Sequence, residues 1–287
     1  MDIGKPDNPL NEGNGINLRM DRPGKRLKDK WKHGEHYERY VGRWSRIVAA
    51  EFLDWLAIPA GRRWLDAGCG TGMLSRAILQ FAAPQMVTGI DRSPGFIAYA
   101  REQVTDQRAG FALGDAQSLP AAAASYDVFV SGLVLNFLPD PGAAVREMAR
   151  VVRPEGVVAV YVWDYAGKMQ FMRQFWDAAA ALDPVAASHD EGRRFPLCQP
   201  RPLTELFEQA GLKQVHVVAI DIATNFKDFD DYWSPFLGGQ GPAPAYLISL
   251  SDNRREALRE RIRAGLPFAI DGSIPLMARA WAVRGMR

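Results

Sequence analysis

Residues 64–73 (WLDAGCGTGM) combine one acid with three glycines at a spacing that suits a nucleotide-binding loop. The apolar residues before Asp66 predict a short buried strand, and the segment after the glycines predicts a helix. Glycines let the backbone pass close to a ligand, and the first turn of a helix offers unpaired N–H groups. The spacing is GxGxG rather than the GxGxxG of dinucleotide enzymes, and the carboxylate of Asp66 favours a cation, such as an ammonium or sulfonium group, over a phosphate.

An alternation of strands and helices surrounds this loop. Apolar, β-rich segments predict strands at 62–68, 85–91, 108–116, 125–137 and 156–165, and helical spacing predicts helices at 73–82, 93–104 and 142–153. This order is typical of a parallel sheet with helices on both faces, that is, a Rossmann-like α/β fold. Ligands in such sheets bind beyond the carboxyl ends of the strands, near the point where the strand order reverses.

The regular alternation of strands and helices ends after Tyr165. We expect helices at 168–182, 202–212, 226–237 and 247–266, strands at 213–222 and 273–285, and a Gly/Pro linker at 238–245. The sheet would then have seven strands, mostly parallel, with a helical lid insertion at 166–200 between the fifth and sixth strands. Before the loop, residues 36–56 predict an amphipathic helix, or two short ones broken near Gly42. We expect residues 35–287 to form a single domain, preceded by a flexible basic arm at 1–34.

The composition is that of a soluble globular protein, with 47% hydrophobic and 24% charged residues. The 35 Lys and Arg against 33 Asp and Glu leave a net charge of +2, which argues against nucleic-acid and membrane partners. The two cysteines make no disulfide framework, and with four histidines they offer too few ligands for a zinc site, so no metal is expected. The absence of a long apolar run and of a signal-peptide pattern favours the cytoplasm.

The segment WLDAGCGTG resembles motif I of the class I S-adenosylmethionine (SAM)-dependent methyltransferases, in particular the small-molecule, type 11-like members. The resemblance continues in register through TGID, GDAQSLP and YDVFVSGLVLNFLPDP, and covers roughly residues 60–165. It implies SAM as the cofactor and S-adenosylhomocysteine as its product.

The resemblance also implies which residues bind the cofactor. The motif I loop would wrap the methionine part of SAM, Asp91 would hold both ribose hydroxyls, Asp115 and Ala116 would contact the adenine, and Leu133 would line the methyl end. A carboxylate at position 91 accepts two hydrogen bonds and repels a 2′-phosphate, which makes NADP a poor fit. The predicted residues from the loop onward are Asp66, Ala67, Gly68, Cys69, Gly70, Gly72, Asp91, Arg92, Asp115, Ala116, Gln117 and Leu133.

The segment YERYVGRWS at 37–45 resembles the stretch that precedes motif I in many small-molecule members. We expect Arg43 to pair with the SAM carboxylate, and Tyr37 or Trp44 to cover the sulfonium. Packing of these aromatic residues on the sheet is the alternative. For catalysis, Asn136 occupies a position after the fourth strand where relatives often carry His; Asn can position an acceptor but cannot take a proton. His36 is the other candidate base.

The expected function is methyl transfer to a small apolar or aromatic acceptor, mainly by proximity and alignment, in a monomer or homodimer. Aromatic residues in the later segments would suit such an acceptor, although most of them could instead fill the core of the added helices. They are Trp163, Tyr165, Phe171, Phe175, Trp176, Phe195, Tyr232, Trp233 and Phe236. A loop at 238–244 could gate the cleft. Two readings compete: another nucleotide-dependent enzyme such as a dehydrogenase, and a SAM-binding sensor or partner protein without transferase activity.

Overall fold

The structure is a computed structural model that describes residues 42–238 and 241–287 of the chain. The predicted basic arm at 1–34 and the candidate residues His36 and Tyr37 lie outside the described residues. Within the described part, no helix is both long and apolar enough to cross a bilayer.

A central sheet organises the described residues. Its strands are β1 (Arg63–Ala67), β2 (Met86–Asp91), β3 (Ala109–Leu113), β4 (Tyr126–Gly132), β5 (Val152–Trp163), β6 (Lys213–Phe226) and β7 (Ile274–Met286). They form a seven-stranded sheet in the order β3-β2-β1-β4-β5-β7-β6. The pairs among β1 to β5 are parallel, and β7 lies antiparallel between β5 and β6. The predicted fold, a mostly parallel Rossmann-like sheet of seven strands, is therefore confirmed.

Helices connect these strands. They are α1 (Arg43–Leu56), α2 (Met73–Phe81), α3 (Pro94–Gln103), α4 (Pro141–Val151), α5 (Gln170–Leu182), α6 (Glu191–Arg194), α7 (Pro200–Gln209), α8 (Phe229–Trp233), α9 (Pro242–Ser249) and α10 (Asp252–Gly265). Short 3₁₀ segments occur at Leu135–Phe137, Pro184–Ser188 and Ser234–Gly238. Successive residues of a strand point to opposite faces, and every residue from Asp127 to Ser131 in β4 is buried. Both faces of the sheet are thus covered at its centre, as the apolar runs predict.

The strand order reverses between β1 and β4. The chain runs from β1 outward to β2 and β3, then returns to place β4 on the other side of β1. The loops that leave the carboxyl ends of β1 and β4 therefore diverge and open a crevice between them. This is the edge at which the sequence places the glycine-rich loop.

The Gly/Pro linker expected at 238–245 is wrong in its second half. Helix α9 starts at Pro242 and runs to Ser249, with proline at its first position. Proline is tolerated there because the first N–H of a helix has no intrahelical partner, and its fixed φ already suits the helix. The single helix expected at 247–266 is consequently two helices, α9 and α10, and the gate expected at 238–244 overlaps the first turn of α9.

Candidate functional site

The loop from β1 to α2 turns sharply at glycines. Gly68 has a φ of +74°, and its N–H donates to the carbonyl oxygen of Ile90 at 2.7 Å. A methyl group on Gly68 would lie 2.5 Å from a side-chain carbon of Val134. Gly72, with a φ of +80°, caps the start of α2. Glycine is therefore required at position 68 both by the backbone conformation and by the closeness of the loop that follows β4.

Asp91 braces this loop from the end of β2. Its Oδ2 accepts a hydrogen bond from the N–H of Gly70 at 3.0 Å, and its Oδ1 accepts one from the N–H of Ser93 at 2.8 Å. The side chain is half-buried and faces the crevice. Because each carboxylate oxygen has a second lone pair, both can still accept a hydroxyl proton from a ligand.

Asp66 lies beneath the loop and is almost fully buried, with 1% of its surface exposed. Its Oδ2 accepts a hydrogen bond from the Ser75 hydroxyl at 2.7 Å, whereas no hydrogen-bond partner is found for its Oδ1 among the described residues. The pKa of the carboxyl group is raised to about 7, chiefly because burial disfavours the charged form; the hydrogen bond from Ser75 lowers the pKa and the nearby charge of Asp91 adds to the rise. An unpartnered buried oxygen beside the crevice is the environment that a bound cation would satisfy.

A cavity of about 430 Å³ occupies the crevice. At its first end, the residues from the loops after β1, β2 and β3 belong to the predicted cofactor site: Asp66, Gly68, Cys69, Gly70, Asp91, Arg92, Asp115 and Ala116. Leu133, from the same prediction, lines the cavity just after β4, where its N–H donates to the carbonyl oxygen of Tyr161. The other end of the cavity is lined by apolar and aromatic side chains, among them Phe137, Leu138, Tyr161, Trp163 and Tyr165. One cavity therefore joins a polar compartment at the glycine-rich loop to an apolar one at the ends of β4 and β5.

Three of the predicted cofactor residues support the cavity from behind and are not among its lining residues. Ala67 is buried at the end of β1, and Gly72 caps α2. The amide oxygen of Gln117 accepts a hydrogen bond from the N–H of Asp140 at 2.9 Å, which ties the loop after β3 to the start of α4. Their predicted contact with SAM stays a prediction.

Arg43 and Trp44 at the start of α1 are also absent from the cavity lining. The Arg43 guanidinium forms an ion pair with Asp231 at 2.8 Å and lies 4.5 Å from the ring centre of Trp44 and 4.7 Å from that of Phe226. The ring of Trp44 packs edge-on against Phe226 at 5.5 Å. Both side chains therefore contact residues at the end of β6 and in α8, and the predicted contacts of Arg43 with the SAM carboxylate and of Trp44 with the sulfonium stay predictions.

Asn136, the candidate acceptor-positioning residue, is buried in the 3₁₀ turn after β4 with 8% of its surface exposed. Neither atom of its side-chain amide has a hydrogen-bond partner in the described part of the chain. It does not line the cavity, although its neighbours Val134, Phe137 and Leu138 do. Its predicted role stays a prediction. Cys69 does line the cavity, but burial raises the pKa of its thiol, so that it stays protonated at neutral pH.

Most aromatic residues of the late segments form a core and not a substrate surface. Phe171 stacks on Phe226 at 5.3 Å and lies 4.6 Å from Phe236, which also stacks on Phe175 at 4.6 Å. Only Trp163 and Tyr165 from the predicted set line the cavity. Tyr161 was missed, although its alternation with Trp163 along β5 places these two rings on the same side of the sheet and could have indicated it.

The acidic group under the loop affects how cofactor binding depends on pH. A raised pKa means that folding favours protonated Asp66, so this group's contribution to stability falls as the pH rises from about 3.8 to about 7. A cationic ligand favours the ionised form, and SAM affinity should increase through the same window. We expect the SAM dissociation constant at pH 6 to be about tenfold higher than at pH 8.

Titration calorimetry at several pH values checks this expectation. The matched control is Asp66→Asn, which keeps the size of the side chain and removes its charge. Its SAM affinity should depend less on pH than that of the wild type. Equal slopes for the two proteins would show that Asp66 does not titrate in this range.

Comparisons with known proteins agree with this geometry. A family model described as a methyltransferase domain matches residues 65–160. The chain is 36% identical over 171 residues to a demethylmenaquinone methyltransferase of Roseiflexus castenholzii, covering 55% of this chain and 71% of that protein. It is 35% identical over 132 residues to a malonyl-[acyl-carrier protein] O-methyltransferase of Serratia marcescens, covering 46% of this chain and 50% of that protein. The chain spans about half the length of the malonyl-[acyl-carrier protein] O-methyltransferases that it matches.

A solved structure shows the same fold. Phosphoethanolamine N-methyltransferase 2 of Haemonchus contortus, in complex with S-adenosyl-L-methionine, superposes with a TM-score of 0.56 at 18% identity, covering 88% of this chain and 56% of that one. The fold and the loop define a nucleotide-binding α/β protein of Rossmann-like type. Together with the sequence relatives, they show that the chain belongs to the class I SAM-dependent methyltransferases.

Proposed function

We propose that this protein is an enzyme that transfers a methyl group from SAM to a small apolar or aromatic acceptor. The observation that carries the proposal is the continuity of the cavity, which runs from Asp66, Asp91 and the glycine-rich loop to the rings at the end of β5. A donor held at the first end and an acceptor held at the second would meet inside one cavity.

The residues of the polar end suit SAM. The two free lone pairs on the Asp91 carboxylate suit a pair of ribose hydroxyls, and the unpartnered Oδ1 of Asp66 suits a positively charged group. When bound, SAM supplies an electrophilic methyl group on a sulfonium. The chain contributes the binding and the orientation of the two reactants.

The apolar end is suited to alignment and exclusion of water. Tyr161 and Trp163 are each about 1% exposed, so the wall that their rings form is itself shielded from solvent. In-line methyl transfer depends on the alignment of the two reactants and the exclusion of water more than on a general base. A base is needed only when the acceptor must lose a proton. Among the relatives, the name of the Roseiflexus protein specifies a quinone acceptor, and the rings at this end favour a ring-bearing acceptor over a carboxylate.

The proposal is tested by incubating the purified protein with methyl-labelled SAM and a panel of acceptors. The panel contains phenol, 1-naphthol, 1,4-naphthohydroquinone, aniline, benzoic acid and octanoic acid, and transfer is followed by mass spectrometry. We expect labelled product with at least one of the aromatic compounds. The same reaction with the Asp91→Ala variant is the control, because this change alters the polar end and leaves the residues of the apolar end unchanged.

A SAM-binding sensor or partner protein without transferase activity is the second candidate function. It is favoured by the position of Asn136, which is buried away from the cavity and cannot accept a proton. Tight binding of SAM with no labelled product from any acceptor class would support this second function and contradict the first.

A further inference from the structure

The segment Asp190–Phe195 lies in the insertion between β5 and β6 and contacts the apolar end of the cavity. The ring of Phe195 meets the ring of Phe137 edge-on, with centroids 5.0 Å apart, and lies 5.7 Å from the ring of Tyr165. Phe137 and Tyr165 both line the cavity. Phe195 therefore packs against two walls of the proposed acceptor site, one from the end of β4 and one from the end of β5.

Arg173 of α5 links this segment to one of those walls. Its Nη1 donates to the carbonyl oxygen of Tyr165 at 3.0 Å and to the Oδ1 of Asp190 at 2.8 Å, while its Nη2 donates to the Oδ2 of Asp190 at 2.8 Å. The pair is largely buried, with 16% and 10% of the two side chains exposed. A two-pronged, buried pair of this kind fixes orientation as well as distance.

Gly192 shows how close the contact is. A methyl group at this position would lie 2.7 Å from the Nη1 of Arg173 and 2.9 Å from the Cα of Ala166. The start of α6 therefore packs in direct contact with the loop that follows β5. Any shift of the segment would be transmitted to Tyr165 and, through Phe195, to Phe137.

We propose that the segment Asp190–Phe195 positions the aromatic walls of the acceptor site, and that the site takes acceptors with a flat aromatic ring. Phe195 acts through Phe137 and Tyr165, and the Arg173–Asp190 pair holds Phe195 in place; these are positioning residues. The proposal rests on the methyltransferase function argued above and specifies its acceptor class. Edge-on and offset contacts between rings favour an aromatic guest over an aliphatic one of equal size.

The test measures binding of an aromatic compound without turnover. The full-length protein is saturated with S-adenosylhomocysteine, and 1-naphthol is titrated into it by calorimetry. We expect Phe195→Ala to raise the dissociation constant of 1-naphthol by about five- to tenfold, while that of S-adenosylhomocysteine stays within about twofold. Phe195→Tyr, which keeps the ring, should restore binding to within about twofold of the wild type.

Two further variants separate positioning from general stability. Asp190→Asn keeps the cap that the side chain gives to the N–H of Gly192 but weakens the pair with Arg173, so it should raise the 1-naphthol dissociation constant by about threefold or more. Tyr126→Leu removes a half-buried ring at the opposite end of β4 and should change neither constant.

Three results would overturn the proposal: a wild type that binds no 1-naphthol, a Phe195→Ala variant that binds it as the wild type does, or an equal loss of affinity for both compounds. If the wild type transferred label only to aliphatic acceptors, the acceptor class would be wrong while the methyltransferase function stood. If no acceptor were methylated but 1-naphthol bound through Phe195, the methyltransferase function would fail while the positioning role stood.

Discussion

The Asp91→Ala variant is expected to bind SAM about a hundredfold to ten-thousandfold more weakly than the wild type. Each carboxylate oxygen of Asp91 accepts a backbone N–H and has a lone pair left for a ribose hydroxyl. A hydrogen bond to a charged group contributes about 1.5–3 kcal/mol, so the loss of two corresponds to that range of affinity. Titration calorimetry with SAM measures the effect.

A second ligand distinguishes the two tasks of Asp91. If the acid binds the ribose, the wild type should bind S-adenosylhomocysteine far more tightly than its 2′,3′-dideoxy analogue, whereas Asp91→Ala should bind the two almost equally. If Asp91 only braces the loop through Gly70, the variant would weaken both ligands by the same factor. Asp115→Ala is the matched control: its carboxylate is exposed and braces only the N–H of Gln117, at 2.9 Å, so a loss of no more than about tenfold is expected.

The polar end of the site could be predicted because local sequence determines its geometry. A strand, a glycine turn and a helix follow one another within residues 63–81, and Asp91 ends the next strand of a parallel sheet. The carboxyl ends of adjacent parallel strands meet at one edge, so Asp66 and Asp91 had to lie close together. No contact between distant parts of the chain was needed for this prediction.

The positions of Arg43 and Trp44 could not be predicted in the same way. Their partners, Phe226 and Asp231, lie more than 180 residues away, at the end of β6 and in α8. Charge and ring type indicate that an arginine and a tryptophan will find partners, but they do not indicate which ones. The pairing was decided by where β6 ends beside β7, which is a property of the whole sheet.

The apolar end of the cavity could be predicted from the sequence only in part. The alternation of rings along β5 was present in the sequence, and it does place Tyr161 and Trp163 in the cavity. The packing of Phe195 against Phe137 depends on how the insertion folds back, and in this insertion Arg173 pairs with Asp190 across 17 residues. Aromatic content alone therefore indicated an apolar site, whereas the identity of its walls required the tertiary structure.

The Gly68→Ala variant is expected to lower the free energy of unfolding by about 2–5 kcal/mol. The positive φ of +74° costs an alanine about 1–2 kcal/mol. The new methyl group would also lie 2.5 Å from Val134, and such overpacking costs about 1–3 kcal/mol more. Since Val134 lines the cavity, relief of the clash must displace the loop or the wall, and SAM binding should weaken by about tenfold or more. Urea denaturation and calorimetry measure the two effects.

Two controls separate the clash from the backbone strain. Gly61 has nearly the same φ, +77°, but a methyl group there would meet nothing within 4 Å, so Gly61→Ala should cost only the strain and leave SAM binding unchanged. Adding Val134→Ala to Gly68→Ala removes the obstructing carbons and should recover most of the overpacking cost. If Gly68→Ala and Gly61→Ala were equally destabilised, the close approach of the two loops would have no energetic consequence. If stability and SAM binding recover when Val134→Ala is added to Gly68→Ala, the contact between the loops after β1 and β4 sets the shape of the cofactor end.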